Sequence, residues 1–251
     1  AMFPLARLLG LFSSAPEFSN RGVSVRVRLA IGLGVALALL PAMPAMPVMA
    51  PGSGVGLAVF AQQIFIGIAI GFMMRIVFAA VDMAGALIGM QMGLSFAIFF
   101  DPDAGGQTAV LSDFLNLLAT LLFLAANGHL LMIDILVRSF EWLPVTTAPV
   151  NAGGWGFIAR TGVTVFAAGL LLSLPIVAIL LVANIALGVL TRAAPQLNLF
   201  AVGFPVTLTA GFIGLVLTLT SFAPVLQSLF ERGMDTITLM LEALAPLPAT
   251  R

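Results

Sequence analysis

Long apolar stretches dominate this chain, and a few polar or helix-breaking residues divide them into segments. No charge occurs between Arg28 and Arg75. That interval holds two apolar runs, 29–40 and 55–74, separated by Pro41, Pro44, Pro47 and Pro51 and then by Gly52, Gly54 and Gly56. Proline lacks the amide hydrogen and clashes with the preceding turn, so this stretch reads as a loop between helices. A further run, 83–100, follows with Arg75 and Asp82 but no turn residue before it. Residues 55–100 therefore read as one long or bent helix. Unbroken, it would reach about 65–70 Å, roughly twice a hydrocarbon core. The pattern predicts either a break near Gly85 or a part that leaves the bilayer plane.

Asp101-Pro102-Asp103-Ala104-Gly105-Gly106 reads as a turn, because the residue before proline is pushed out of the helical region. Residues 114–133 predict a span-length helix, and 141–156, with Pro144, Pro149 and Gly153-Gly154, a loop. The uncharged stretch 161–191 contains Pro175, read as a kink. The next, 193–230, is read as interrupted by Pro195, Pro205 and Pro224, and 234–244 as a short amphipathic end. The whole predicts an all-α, membrane-class bundle of about six long, kinked segments. Charge asymmetry orients it poorly. Arg21, Arg26 and Arg28 suggest a cytoplasmic flank, but Arg160 and Arg192 lie at opposite ends of one segment. An ordinary polytopic chain with few charges and a chain that is not a simple serpentine in lipid both fit.

Composition strengthens the membrane reading: 61% of residues are hydrophobic and 8% charged, against about 45–50% and about 25% in soluble domains. Ten arginines and ten acids balance, with no lysine, so no basic patch points to nucleic acid. The absence of cysteine excludes disulfides and thiolate chemistry, and one histidine, His129, makes no multi-histidine metal site. No Walker loop, G-x-S-x-G, H-E-x-x-H or paired carboxylates occur, so neither a cofactor nor an enzyme is expected. The chain begins with Ala1 and its apolar stretch starts at once. Residues are expected to precede it, and no cleavable signal peptide is read.

The polar and small residues inside the apolar runs are the candidates for function. Gly85, Gly89 and Gly93 recur every four residues, and Gly67 and Gly71 repeat the spacing upstream. Such faces let two helix backbones approach closely, within a chain or between subunits. Gln62, Gln63 and Gln91, with Asn116, Asn127 and Asn184, must find hydrogen-bond partners or water, as interhelical links or along a pore. Arg75 and Asp82 are seven apart and share a helix face; Asp113, Asp134 and Arg192 fit segment ends near water. No relay of buried acids suggests a proton pump. His129 reads as a satisfied hydrogen-bonder rather than a pH switch. Phe96, Phe99 and Phe100 fit core anchors or an apolar constriction able to close a pore. Met43, Met46, Met49, Met90 and Met92 suit gap filling or adaptable surfaces.

Several of these polar islands form a series: Ser14-Ala15-Pro16; Arg21 to Arg28 as R-G-V-S-V-R-V-R; Gln62-Gln63 with Gly67 and Gly71-Phe72; G-A-L-I-G-M-Q-M-G-L-S-F from Gly85 to Phe96, leading into Asp101-Pro102; Asn127-Gly128-His129; and R-A-A-P-Q-L-N-L-F from Arg192 to Phe200, containing Gln196, followed by Gly203-Phe204-Pro205. Across essentially the whole chain the series resembles the FliR family of flagellar export-gate proteins. M-G-L-S-F and R-A-A-P-Q-L-N are its most specific parts, and about half a helix of the family pattern is absent before Phe3.

The resemblance implies a non-enzymatic subunit that assembles with FliP and FliQ, engages FlhB and FlhA, and helps pass unfolded rod, hook and filament proteins. It implies a FliP-like part, 1–152, with a plug loop near 96–108 formed by Phe96, Phe99, Phe100, Asp101 and Pro102. A FliQ-like hairpin, 153–251, would follow, joined through the 144–156 loop. It places the complex in the bacterial inner membrane at the flagellar basal body, with much of it projecting to the periplasmic side. Lipid and protein neighbours would share the apolar surface, and neighbours would bury more of it. A homologous subunit of a virulence-type secretion system is an alternative, although the islands are more similar to the flagellar form. A stand-alone secondary transporter would need inverted repeats and a mid-depth polar site, neither of which is evident. A membrane enzyme finds no catalytic constellation.

Overall fold

The computed structural model describes residues 2–18, 24–39, 41, 52–94, 110–148, 150–196 and 199–246. These form seven α-helices and no strand: α1 (Met2–Ser14), α2 (Val25–Leu39), α3 (Gly54–Gln91), α4 (Val110–Ala125), α5 (Gly128–Trp142), α6 (Trp155–Ala193) and α7 (Leu199–Leu244). A 3-10 turn, Ala152–Gly154, precedes α6. The all-α expectation holds, and α3, α6 and α7 are long and apolar enough to cross a membrane, as is α4–α5 if the bent pair is one span.

Two expectations about breaks are corrected, and of the two alternatives for 55–100 the break near Gly85 is excluded. α3 runs unbroken through Gly85 and stops only at Gln91. There Gly93 adopts φ 84°, and its N–H donates to Met90 O at 3.1 Å. A positive φ carries no Cβ penalty in glycine, so Gly93 ends the helix instead of extending its glycine face. The single helix expected over 114–133 is two helices bent by 66°. Asn127 takes the left-handed conformation, φ 57° and ψ 24°, which short polar side chains tolerate. Gly128 follows where a Cβ would fall 2.4 Å from the Phe123 ring. Conversely, Pro205 and Pro224 do not interrupt α7, and 234–244 is its last part, not a separate helix. Each proline removes only one N–H, that to the carbonyl four residues earlier, and the rest of the helix carries the turn; Pro175 lies inside α6 in the same way.

The chain forms two compact units. The first comprises 1–77, 123–163 and 230–251; the second, 78–122 and 164–229. In the first, α1 lies on α3, α2 packs on α1 with Leu8 and Phe12 against Gly32, and Phe3, Val59, Phe140 and Val145 form an apolar cluster. Phe123 and Phe230 meet edge to face at 5.1 Å. The end of α7 returns to the start of α6: Asn151 N–H donates to Leu244 O at 3.0 Å, and Leu244 Cγ lies 2.3 Å from where a Cβ on Gly154 would stand. In the second unit, the C-terminal part of α3 packs on α4 and on the middle of α7. The Thr207 hydroxyl donates to Met92 O at 3.1 Å, and Gly211 faces the Met92 side chain.

Candidate functional site

The most constrained place in the first unit is where α1 crosses α3. Gly67 fits under the Arg7 backbone: a Cβ there would lie 1.9 Å from Arg7 O. Gly71 fits under Ser14 and Ala15, and Gly10 under Ile64 O, at 2.2 and 2.4 Å by the same measure. Only glycine allows this approach, because each contact is to backbone or a short side chain. Beside it Arg7 is fully buried. Its Nε and Nη2 donate to Gln63 Oε1, Nη2 also to Leu143 O at 2.8 Å, and Nη1 to Ser139 Oγ at 2.7 Å. The guanidinium lies 3.8 Å over the Phe140 ring. One cation thus joins α1, α3 and the end of α5. Removal from water lowers the Arg7 pKa to about 9, which leaves it charged at neutral pH. No carboxylate among the described residues pairs with it; the Arg138–Asp134 ion pair, at 2.8 Å, is exposed and separate.

Sequence reasoning missed Arg7. The available signal was a lone arginine in the middle of an otherwise apolar first helix. Glu17, just beyond α1, was missed as well. Both carboxyl oxygens are buried without a side-chain partner among the described residues, and burial pushes the carboxyl up to about 7.

In the second unit Gly85 supports the α3–α4 contact, with a virtual Cβ 2.4 Å from Ser112 Cα. The Ser112 hydroxyl donates to Asp82 O at 2.8 Å, and Asn116 Nδ2 donates to the Asp82 carboxylate. Gly89 makes only ordinary contact, its nearest neighbour 3.8 Å away. An apolar cavity of about 350 Å³ lies between α4 and α7, lined by Leu94, Val110, Leu111, Phe114, Phe212, Leu215, Val216 and Leu219.

The remaining candidates are dispersed. Of the polar set, Gln63 is buried, Gln62 and Gln91 are half-buried, and Arg75, Asp82, Asn127, Arg192 and Gln196 are exposed on this chain by itself. Gln62 Nε2 donates to Ala148 O at 3.4 Å. Contrary to the satisfied reading of His129, its Nδ1 is buried and has no partner among the described residues. Phe96, Phe99, Phe100, Asp101 and Pro102 lie outside the described residues. No group of three or more potential metal-ligating His, Cys, Asp or Glu side chains occurs among the described residues.

Most of α6 and much of α7 face outward. In their most apolar stretches 28% of residues are buried, against 67% for α3. Glycines 162 and 188 on α6 have open space over them. What this chain assembles is therefore a set of tight internal glycine contacts and a large apolar exterior, with no constellation for bond-making chemistry among the described residues.

Comparison with known proteins gives this architecture its context. Residues 1–233 match the family described as bacterial export proteins, family 1. The chain is 43% identical over 245 residues to the flagellar biosynthetic protein FliR of Pectobacterium carotovorum subsp. carotovorum, covering 97% of this chain and 93% of that protein. It is 42% identical to that of Escherichia coli K12, with 98% and 93% covered. Against that of Bacillus subtilis it is 30% identical, with 92% and 90% covered. With this family match and these identities along nearly the whole length, the chain belongs to bacterial export proteins, family 1, among the flagellar biosynthetic FliR proteins.

Proposed function

We infer that this chain is a non-enzymatic subunit of the flagellar type III export gate, acting by packing and sealing. It assembles with FliP- and FliQ-type subunits, engages FlhB and FlhA, and with them passes unfolded rod, hook and filament proteins across the inner membrane. The observation that carries this reading is the exterior of α6 and α7. Val163, Phe166, Leu171, Val182, Ile185, Val189, Val216 and Leu217 are all exposed. Soluble monomers rarely expose so much contiguous apolar surface. Lipid alone would explain the side chains, but the open glycines 162 and 188 suit the close approach of another helix backbone.

The same reading divides the chain at the 3-10 turn into a FliP-like part, 1–152, and a FliQ-like hairpin, 153–251, built on α6 and α7. Residues 96–108 are assigned the plug on resemblance, and much of the complex would project to the periplasmic side. Gly67, Gly71 and Gly85 serve intramolecular packing; Arg75, Asp82, Arg192 and Gln196, exposed on the lone chain, are assigned contacts with neighbouring subunits. The flagellar names of the relatives favour this gate over a virulence-type secretion system.

Co-expression with the flagellar neighbours tests the reading. The chain is expected to co-purify in a defined complex and to restore secretion of hook and filament proteins to a strain lacking its FliR. Purification as a stable lone unit with transport activity of its own would overturn it. A shortened, flexible replacement of residues 96–108 should leave assembly intact and raise ion conductance across the membrane. Unchanged conductance would refute the plug assignment.

A further inference from the structure

α2 is apolar on every side: its only polar residues are Arg26 and Arg28, both in the first turn. It rests on α1 through Gly32, where a Cβ would lie 3.4 Å from the Leu8 and Phe12 side chains, and Ala36 is buried one turn further on. The other side is uncovered. Leu29, Leu33 and Leu37 form one exposed ridge and Val27 and Ile31 a second. Between them the row Arg26, Ala30, Gly34 and Ala38 is exposed as well. At 3.6 residues per turn these positions cover an arc of roughly 200°. No atom lies within 4 Å of where a Cβ on Gly34 would stand. A low row between two ridges is the shape into which a ridge of another helix fits.

Lipid does not account for this side. Fifteen residues reach about 22 Å, short of the roughly 30 Å hydrocarbon core. The stretch beyond, with Pro41, Pro44, Pro47 and Pro51, reads as a loop in the sequence. With the arginine end of α2 at the water boundary, that loop would have to follow inside the hydrocarbon. Non-helical backbone is tolerated there only within protein or along a water-filled cavity. Lying flat in the interface requires a polar face opposite the apolar one, and α2 has none. Protein is the remaining cover.

Charge indicates its chemistry. Arg26 heads the exposed row at the positive end of the helix dipole, with no acidic residue in that turn. No carboxylate among the described residues pairs with it, and no acid occurs in the sequence from Phe18 to Val81. A cation at the edge of an apolar contact is best met by a carboxylate from the other side.

We propose that the outward side of α2 is the docking surface for an apolar helix of a neighbouring subunit, which crosses the row at Gly34 between the two ridges and sets a carboxylate beside Arg26. This docking presupposes the gate assignment above, and the test keeps the two apart.

Gly34→Leu is expected to accumulate like the unsubstituted chain when each is expressed alone, because open space lies over Gly34 and leucine favours the helix. In the co-expressed complex it should lower recovery of the neighbouring subunits about tenfold or more, by filling the row that the neighbour enters. Arg26→Glu should lower recovery severalfold, and Arg26→Lys, which keeps the charge, should retain most of it. A benzophenone side chain at Leu33 should, on irradiation of the complex, join the chain to a FliP- or FliQ-type subunit, in an apolar helix that carries an Asp or Glu. An adduct to lipid or to a second copy of this chain overturns the proposal. So does a Gly34→Leu chain that assembles at the native level, and one that fails to accumulate alone, since the chain itself would then cover Gly34. An Arg26→Glu chain recovered as well as the unsubstituted one refutes the carboxylate contact. Failure of the unsubstituted chain to co-purify with its neighbours would instead count against the gate assignment.

Discussion

α3 and α6 are nearly the same length, 38 and 39 residues, and the more apolar of the two is the less buried. The most apolar stretch of α6 has a mean hydropathy of 2.8 and is 28% buried; that of α3 has 2.4 and is 67% buried. Hydropathy records a preference for apolar surroundings and says nothing of who supplies them. The residue types carry more information. Where α3 meets its own chain, glycines 67, 71 and 85 bring backbones together. Where α6 faces away, branched and aromatic side chains such as Phe166 and Val182 project outward, 66% and 67% exposed.

This contrast can be broken most sharply at Gly67. A leucine there must displace the Arg7 backbone, because even a Cβ would fall 1.9 Å from Arg7 O. We expect a cost above about 3 kcal/mol and loss of the accumulated protein, read by immunoblot of membranes. Normal accumulation would mean that the inward face is as tolerant as the outward one.

A second test uses pH. Glu17 holds its proton in the folded chain up to about pH 7, whereas its ordinary value is 4.5. The folded state therefore binds more protons than the unfolded one between these values. Stability is greatest below the lower value and falls as pH rises through the upper one. The difference corresponds to roughly 3 kcal/mol. Thermal unfolding of the purified complex should show a midpoint that declines between pH 5 and pH 8 at a rate that Glu17→Gln flattens. An unchanged slope would remove Glu17 from the buried interior.

The outward face is probed by Phe166→Ala with Val182→Ala. Exposed on the lone chain, each should change its own stability by no more than about 0.5 kcal/mol. Together they should reduce the share of chain recovered in the complex severalfold by affinity purification. Equal loss of stability in the isolated chain would show that the chain covers this face itself. The smallest effect is expected from Arg138→Ala, which removes the exposed pair with Asp134: less than about 0.5 kcal/mol in the same thermal assay.

How far the sequence foretold this arrangement follows from the range of each determinant. The long helices are legible because one apolar run suffices to specify each of them. Their ends are less so. Asn127-Gly128 breaks 114–133 through a left-handed residue and a ring pressed against Gly128, and only the first cause is local. Local chemistry disfavours Pro205 inside a helix, and the surrounding helix overrides that preference. Of the expected glycine contacts, Gly93 is a helix terminator, a role that depends on where the following chain turns. Arg7 shows locally only as a lone charge in an apolar helix, because its acceptors lie 56 to 136 residues further along. Nothing adjacent to it in sequence announces them.

The first unit draws on 1–77 and again on 230–251. During synthesis its earliest helices leave the ribosome long before Phe230 and Leu244 can reach Phe123 and Asn151. Chain emergence at about 5–20 residues per second sets that wait at roughly ten seconds or more. For that interval the apolar faces awaiting the end of α7 stand open to insertion factors, chaperones and proteases. The first unit is therefore closed only once residues 230–244 have emerged, and a chain stopped before them lacks the Phe123–Phe230 and Asn151–Leu244 contacts.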